Sequence, residues 1–85
     1  MKVRIPTPLR SYTSASVVDA DGSTLEELID DLDRRYPGIR FRFVDEQGRL
    51  RQHMKIFVGM EMTRDLSTEL HPTTEVTVMQ ALSGG

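Results

Sequence analysis

The sequence ends in Gly84 and Gly85, so its terminal carboxylate has no β-carbon beside it. A carboxylate carried this way can pass along a narrow channel into an enclosed site while the rest of the chain stays outside. Glycine fits such a channel and reaches backbone φ values closed to other residues. With Gly at ~7% of residues, a terminal pair arises by chance in about 0.5% of chains, so the pair gains meaning only from what precedes it. The other chemistry-bearing residues are poorly placed. His53 and His71 lie far apart, neither has a second ligand at metal spacing, and both read as surface histidines. Glu26, Glu27, Asp30, Asp31 and Asp33 are of a type suited to acid–base work, but they interleave with an apolar stripe at helical spacing and read as its solvated face. No lysine follows Gly48 or Gly59 as a phosphate loop requires. Ser11, Ser14 and Ser16 lack a base at a nucleophile elbow. The chain has no cysteine, which removes disulfides, thiolate metal sites and a cysteine nucleophile.

Something must hold that carboxylate out, and the clearest element is a helix. Ser23-Thr24-Leu25-Glu26 is a capping box, and Thr24 with Glu27 offers the same pattern one step later. Leu25, Leu28, Ile29, Leu32 and Tyr36 then recur at helical spacing. Early acids and the late Arg34-Arg35 suit the helix dipole, and Pro37-Gly38 stops it. Strands flank the helix. Val3 and Ile5 alternate with Lys2 and Arg4, stopped by Pro6 and Pro8. The stretch 6–13 is expected to turn the chain. Ala15, Val17 and Val18 make a second strand, broken by Asp21-Gly22. Residues 39–43 read as a short helical turn or an irregular loop, and 45–48 as a turn. Met54, Ile56 and Val58 form a third strand, 61–70 a short edge strand plus a turn, and 75–79 the last strand.

The expected fold is therefore α+β: a mixed four- to five-stranded sheet under one main helix. Pairing the first and last strands in parallel at its centre gives a β-grasp, the ubiquitin-like arrangement. Residues 1–80 make the domain and 81–85 a tail ending in Gly-Gly. Val3, Ile5, Val17, Ile56, Val58, Val76 and Val78 are expected to face the helix. Phe57, Thr77 and Met79 then point to the other face, which no second helix can cover, and suggest a contact surface. Met60 and Met62 either join that surface or pack along the edge strand.

Composition narrows the function classes. Eighty-five residues, 28% charged and 38% hydrophobic, describe one small folded domain. A domain this size does not easily build both a complete core and a deep catalytic cleft, which favours a carrier, a binding module or a subunit over a self-contained enzyme. Eleven basic residues scattered in a chain of net charge −2 lack the clustering that nucleic acid requires. The opening MKVRIPTPLR has no apolar run for a signal peptide and no later segment is long enough to span a bilayer, giving the expectation of a cytoplasmic protein without a membrane partner.

These residues resemble a known family. Thr24-Leu25-Glu26-Glu27-Leu28 through Arg35-Tyr36-Pro37-Gly38-Ile39 is similar to the helix of the MoaD/ThiS sulfur carriers, as are Met54-Lys55-Ile56-Phe57-Val58 and Glu75-Val76-Thr77-Val78 running to Gly84-Gly85. Ile5-Pro6-Thr7 with Leu9-Arg10 and Thr13 resembles the CysO-type carriers of cysteine synthesis. The likeness spans nearly the whole chain and is weakest over 40–52 and the edge strand. Lys55, Gly59, Gln80 and Ser83 depart from residues common in the family. The resemblance implies that an E1-like enzyme uses ATP to adenylate the Gly85 carboxylate, and that sulfur then displaces AMP to leave a thiocarboxylate. It implies no cofactor on the carrier itself and no metal. Gly85 would carry the sulfur, Gly84 and Ser83 would thread the channel with Leu82 at the tail's root, and Phe57, Met79, Thr77 and Met62 would meet partners. The implied acceptor is a PLP-dependent cysteine synthase, the large subunit of molybdopterin synthase or a thiazole synthase. Two alternatives remain at this stage: a ubiquitin-like modifier forming isopeptide bonds through Gly85, and a non-catalytic β-grasp interaction module.

Overall fold

A computed structural model describes residues 1–81. Strands β1 (Lys2–Arg4), β2 (Val17–Asp19), β3 (Met54–Val58), β4 (Glu61–Thr63) and β5 (Val76–Gln80) form one sheet in the order β2-β1-β5-β3-β4. β1 and β5 pair in parallel at its centre, with Val3 opposite Val76 and Arg4 opposite Thr77. The other neighbours are antiparallel. This is the β-grasp expected from the order of elements.

The main helix α2 (Leu25–Arg35) starts at Thr24, whose hydroxyl accepts from the Glu27 amide. The second of the two candidate caps is therefore the one used. The Glu27 carboxylate reaches back to the Ser23 amide at 3.0 Å rather than to that of Thr24, closing the box one residue early. Leu25, Leu28, Ile29 and Leu32 are buried against the sheet, each contributing about 1.5–3 kcal/mol. Gly38 follows in the left-handed region at φ 97°.

Three expectations are corrected. The stretch 6–13 is not a plain turn but two single helical turns, a 3₁₀ turn Thr7–Leu9 and α1 (Arg10–Thr13). They exist because Leu9 and Thr13 are buried, a use of residues that a proline-rich segment conceals. In β2 it is Val18 that faces the core while Val17 lies outward, 36% exposed. The antiparallel register sets this: Val18 sits opposite the buried Val3, and Val17 opposite Arg4. A one-residue slip in phase turns every side chain over. Asp31 is not on the solvated face. It is buried, accepting from the Asp21 amide and Arg35 Nε at 2.9 Å each and pairing with Arg34, so its charge is satisfied where it is hidden.

Residues Arg40–Phe43 form the single turn α3. Phe43 enters the core completely, as do Ile39 and Met54. Ile56, Val76 and Val78 complete the sheet side of that core, while Val58 is only half-buried at its margin.

Candidate functional site

Leu82, Ser83, Gly84 and Gly85, the tail residues singled out above, lie outside the described residues. What the structure fixes is the place from which they depart. β5 is held along its length by β3, from Val58 opposite Val76 to Met54 opposite Gln80. One further bond, from the Ala81 amide to the His53 carbonyl at 2.8 Å, carries that pairing to the last described residue. The root of the tail is thus anchored at one end of the central strand.

The register places the expected partner residues on one face. Arg4 is opposite Val17 on one side and Thr77 on the other; Phe57 is opposite both Thr77 and Met62. The result is a row, Val17–Arg4–Thr77–Phe57–Met62, crossing all five strands on the face away from α2. Met79, opposite Lys55, continues it toward the tail. Met62 is 55% and Met79 50% exposed, and Phe57 and Thr77 are half-buried. Alternation along single strands brings Phe57, Thr77, Met79 and Met62 together; Val17 and Arg4 join only through cross-strand register, which no single strand reveals. Met60, in the β3–β4 hairpin, is almost wholly exposed.

Beside the end of β5 lies a shallow groove of about 660 Å³, bordered by Pro6, Arg10, Ser16, Thr77 and Met79. β1 stops at Arg4, so this groove opens where β5 runs on past it. The face is edged by exposed ion pairs, Lys2 with Asp19 at 3.5 Å and Arg4 with Glu75 at 3.7 Å, of a kind that contributes little to stability.

The side chains weighed for catalysis have other occupations. Asp33 accepts from the Gly38 and Arg40 amides at 3.1 and 3.0 Å, closing the end of α2. Asp30 and Glu26 pair with Arg40. His53 and His71 are exposed, and among the described residues no three His, Asp or Glu side chains gather as metal ligands would. Two carboxylates are held below their ordinary value of 3.8: Asp45, chiefly by the Arg49 amide, and Asp65, chiefly by the Ser67 hydroxyl. Both close their own surface turns. No helix among the described residues is long and apolar enough to cross a membrane.

Comparison with known proteins agrees with this geometry. The ThiS family model matches residues 3–85. Sulfur carrier protein CysO of Mycobacterium tuberculosis is 37% identical over 89 aligned residues, covering 98% of this chain and 96% of that protein. Its crystal structure superposes with a TM-score of 0.89 at 36% identity, covering 95% of this chain and 98% of that one. A chain of the Amycolatopsis orientalis BexX/CysO complex gives 0.90 at 35% identity, with 99% and 98% covered. SAMP1 of Haloferax volcanii, at 23% identity and a TM-score of 0.81 over 100% of this chain and 98% of that one, shares the fold.

Proposed function

Because the chain belongs to the ThiS family, we propose that it is a sulfur carrier whose Gly85 carboxylate is the reacting group. The observation that carries this reading is full-length likeness to a sulfur carrier running through Gly-Gly, on a fold whose central strand delivers the chain to that end. The protein is not an enzyme but works with partner enzymes.

A carboxylate is a poor electrophile. An E1-like partner corrects this with ATP: a Gly85 carboxylate oxygen attacks the α-phosphorus, pyrophosphate leaves, and an acyl adenylate forms. A sulfide-level nucleophile then adds to the acyl carbon, and AMP departs with the C–O electron pair. The product is a thiocarboxylate, anionic at neutral pH, which hands sulfur to an acceptor without release of sulfide. Gly84 and Ser83 supply clearance in the channel. The outer row with Phe57, Thr77, Met62 and Met79 is the surface that partners grip while the tail is threaded. The likeness to CysO favours a cysteine synthase as acceptor over molybdopterin or thiazole synthases. Such a carrier acts in the cytoplasm and needs no nucleic acid or membrane.

The test is intact mass spectrometry of the full chain after incubation with ATP, a sulfide source and the adenylating enzyme of its host. A sulfur-for-oxygen exchange localised to Gly85 supports the carrier; glycine remnants on lysines of other proteins would instead make it a modifier. One residue added after Gly85 should abolish adenylation while leaving thermal unfolding unchanged. Adenylation of the extended chain without trimming would refute the mechanism.

A further inference from the structure

One stretch of this chain departs from the general scatter of its basic residues. The acids of β2 and α2 run from Asp19 to Asp33, whereas residues 40–55 hold Arg40, Arg42, Arg49, Arg51, His53 and Lys55 against only Asp45 and Glu46. Arg40 is taken up by Glu26 and Asp30 on α2. Among the described residues no ion pair includes Arg42, Arg51 or Lys55. In a chain of net charge −2, this local excess of basic residues, only partly offset where Asp45 faces Arg49 and Arg51, is not a by-product of overall composition.

Phe41 stands in this corner and is 58% exposed. It is held in place from below. The Arg51 guanidinium lies 5.7 Å from the ring centroid, and Arg51 Nε donates to the Phe41 carbonyl at 2.7 Å. A cation–π contact of this kind restrains the ring, and aromatic and Arg side chains dominate binding energy at interfaces. Phe41, Arg42, Arg51 and His53 together line a depression of about 310 Å³. His53 is also the residue whose carbonyl anchors Ala81. The basic depression therefore adjoins the root of the tail.

We infer that Phe41, Arg42, Arg51 and His53 seat the acidic rim of the channel into which the adenylating enzyme draws the terminus. This inference rests on the carrier reading. An enzyme that takes the tail into an enclosed site must press its mouth against the residues around Ala81. Carboxylates with an apolar spot for Phe41 complement this corner, and a cationic mouth is repelled by it.

The experiment uses the full chain and the host's adenylating enzyme, with ATP–pyrophosphate exchange measured across a series of NaCl concentrations. Arg42→Glu/Arg51→Glu should raise KM about tenfold, the scale of losing one close charge pair, with kcat nearly unchanged and a flatter dependence on salt. Phe41→Ala should raise KM without altering the salt slope. Glu69→Gln, at an exposed residue paired with Thr24 before α2, should leave KM within about twofold, as expected of a charge outside the interface. An unmodified chain that is not adenylated removes the carrier reading and this seat with it. Adenylation with KM and salt slope the same in the double variant as in the unmodified chain removes the seat alone. Thermal unfolding of each variant separates a lost contact from a lost fold.

Discussion

Gly22 tests the architecture at the turn from β2 into α2. A β-carbon there would lie 2.5 Å from the Leu28 nitrogen and 2.9 Å from both the Glu27 carbonyl carbon and the Leu28 α-carbon. All three are backbone atoms of the first turn of α2, so no flexible side chain can swing aside. Overpacking costs about 1–3 kcal/mol, and contacts this short place Gly22→Ala at the upper end. The neighbouring Asp21 amide donates to buried Asp31 at 2.9 Å, so displacing the turn also strains a bond contributing roughly 1 kcal/mol. A total of about 3–4 kcal/mol lowers the midpoint of a domain this size by about 12–32 °C, at roughly 4–8 °C per kcal/mol. Circular dichroism during heating and urea titration measures it, with the urea slope checking that unfolding stays two-state. Gly59→Ala is the comparison. Gly59 has φ 62° but nothing within 4 Å of a built β-carbon, so only left-handed strain of about 1–2 kcal/mol applies. If Gly22→Ala proves no more harmful than Gly59→Ala, the close approach of turn to helix is refuted.

Two further outcomes follow from the packing and the turns. Phe43→Ala empties a fully buried site and should cost about 3–5 kcal/mol in urea denaturation, whereas a loss below about 1 kcal/mol would show that 40–43 is not part of the core. Asp45 is held below 3.8 mainly by the Arg49 amide, so its folded carboxyl titrates lower than its unfolded one. Its contribution to the 45–49 turn is therefore present above about pH 3.8 and fades as the pH falls through the lowered folded value. Carboxyl-carbon NMR should give a midpoint under 3.8, and exchange of the Arg49 amide should quicken over that same acid range; a midpoint at or above 3.8 would contradict the bonds seen to this carboxylate.

Much of the fold was legible because the strongest signals were local. The stripe from Leu25 to Leu32 and the alternation of Met54, Ile56 and Val58 are each set by neighbours in sequence and stand where expected, and the cap is one of the two that the sequence left open. What failed depended on distant partners. Whether Val17 or Val18 turns inward is decided by Val3 across the sheet, and three valine or alanine positions in a short strand fit either phase. Asp31 looks like any helix carboxylate until the Asp21 amide and Arg35 close over it. Leu9 and Thr13 hide among prolines and serines that read as a turn. For the candidate site, alternation along β3 and β5 was enough to collect Phe57, Thr77 and Met79. The basic corner was not legible, since Arg42, Arg51 and His53 meet only when α3 folds back beside the start of β3.

The parallel pairing of β1 with β5 also governs when this protein becomes a protein. The first strand emerges from the ribosome long before its central neighbour exists, and β5 leaves after every other strand of the sheet. Until then β1 has only β2 to pair with, and α2 has half a surface to pack on. Loop closure across nearly the whole chain must precede the contacts that reward it. Folding is thus deferred until β5 has been made, because a chain that stops before Val76 lacks the strand that joins β1 to β3.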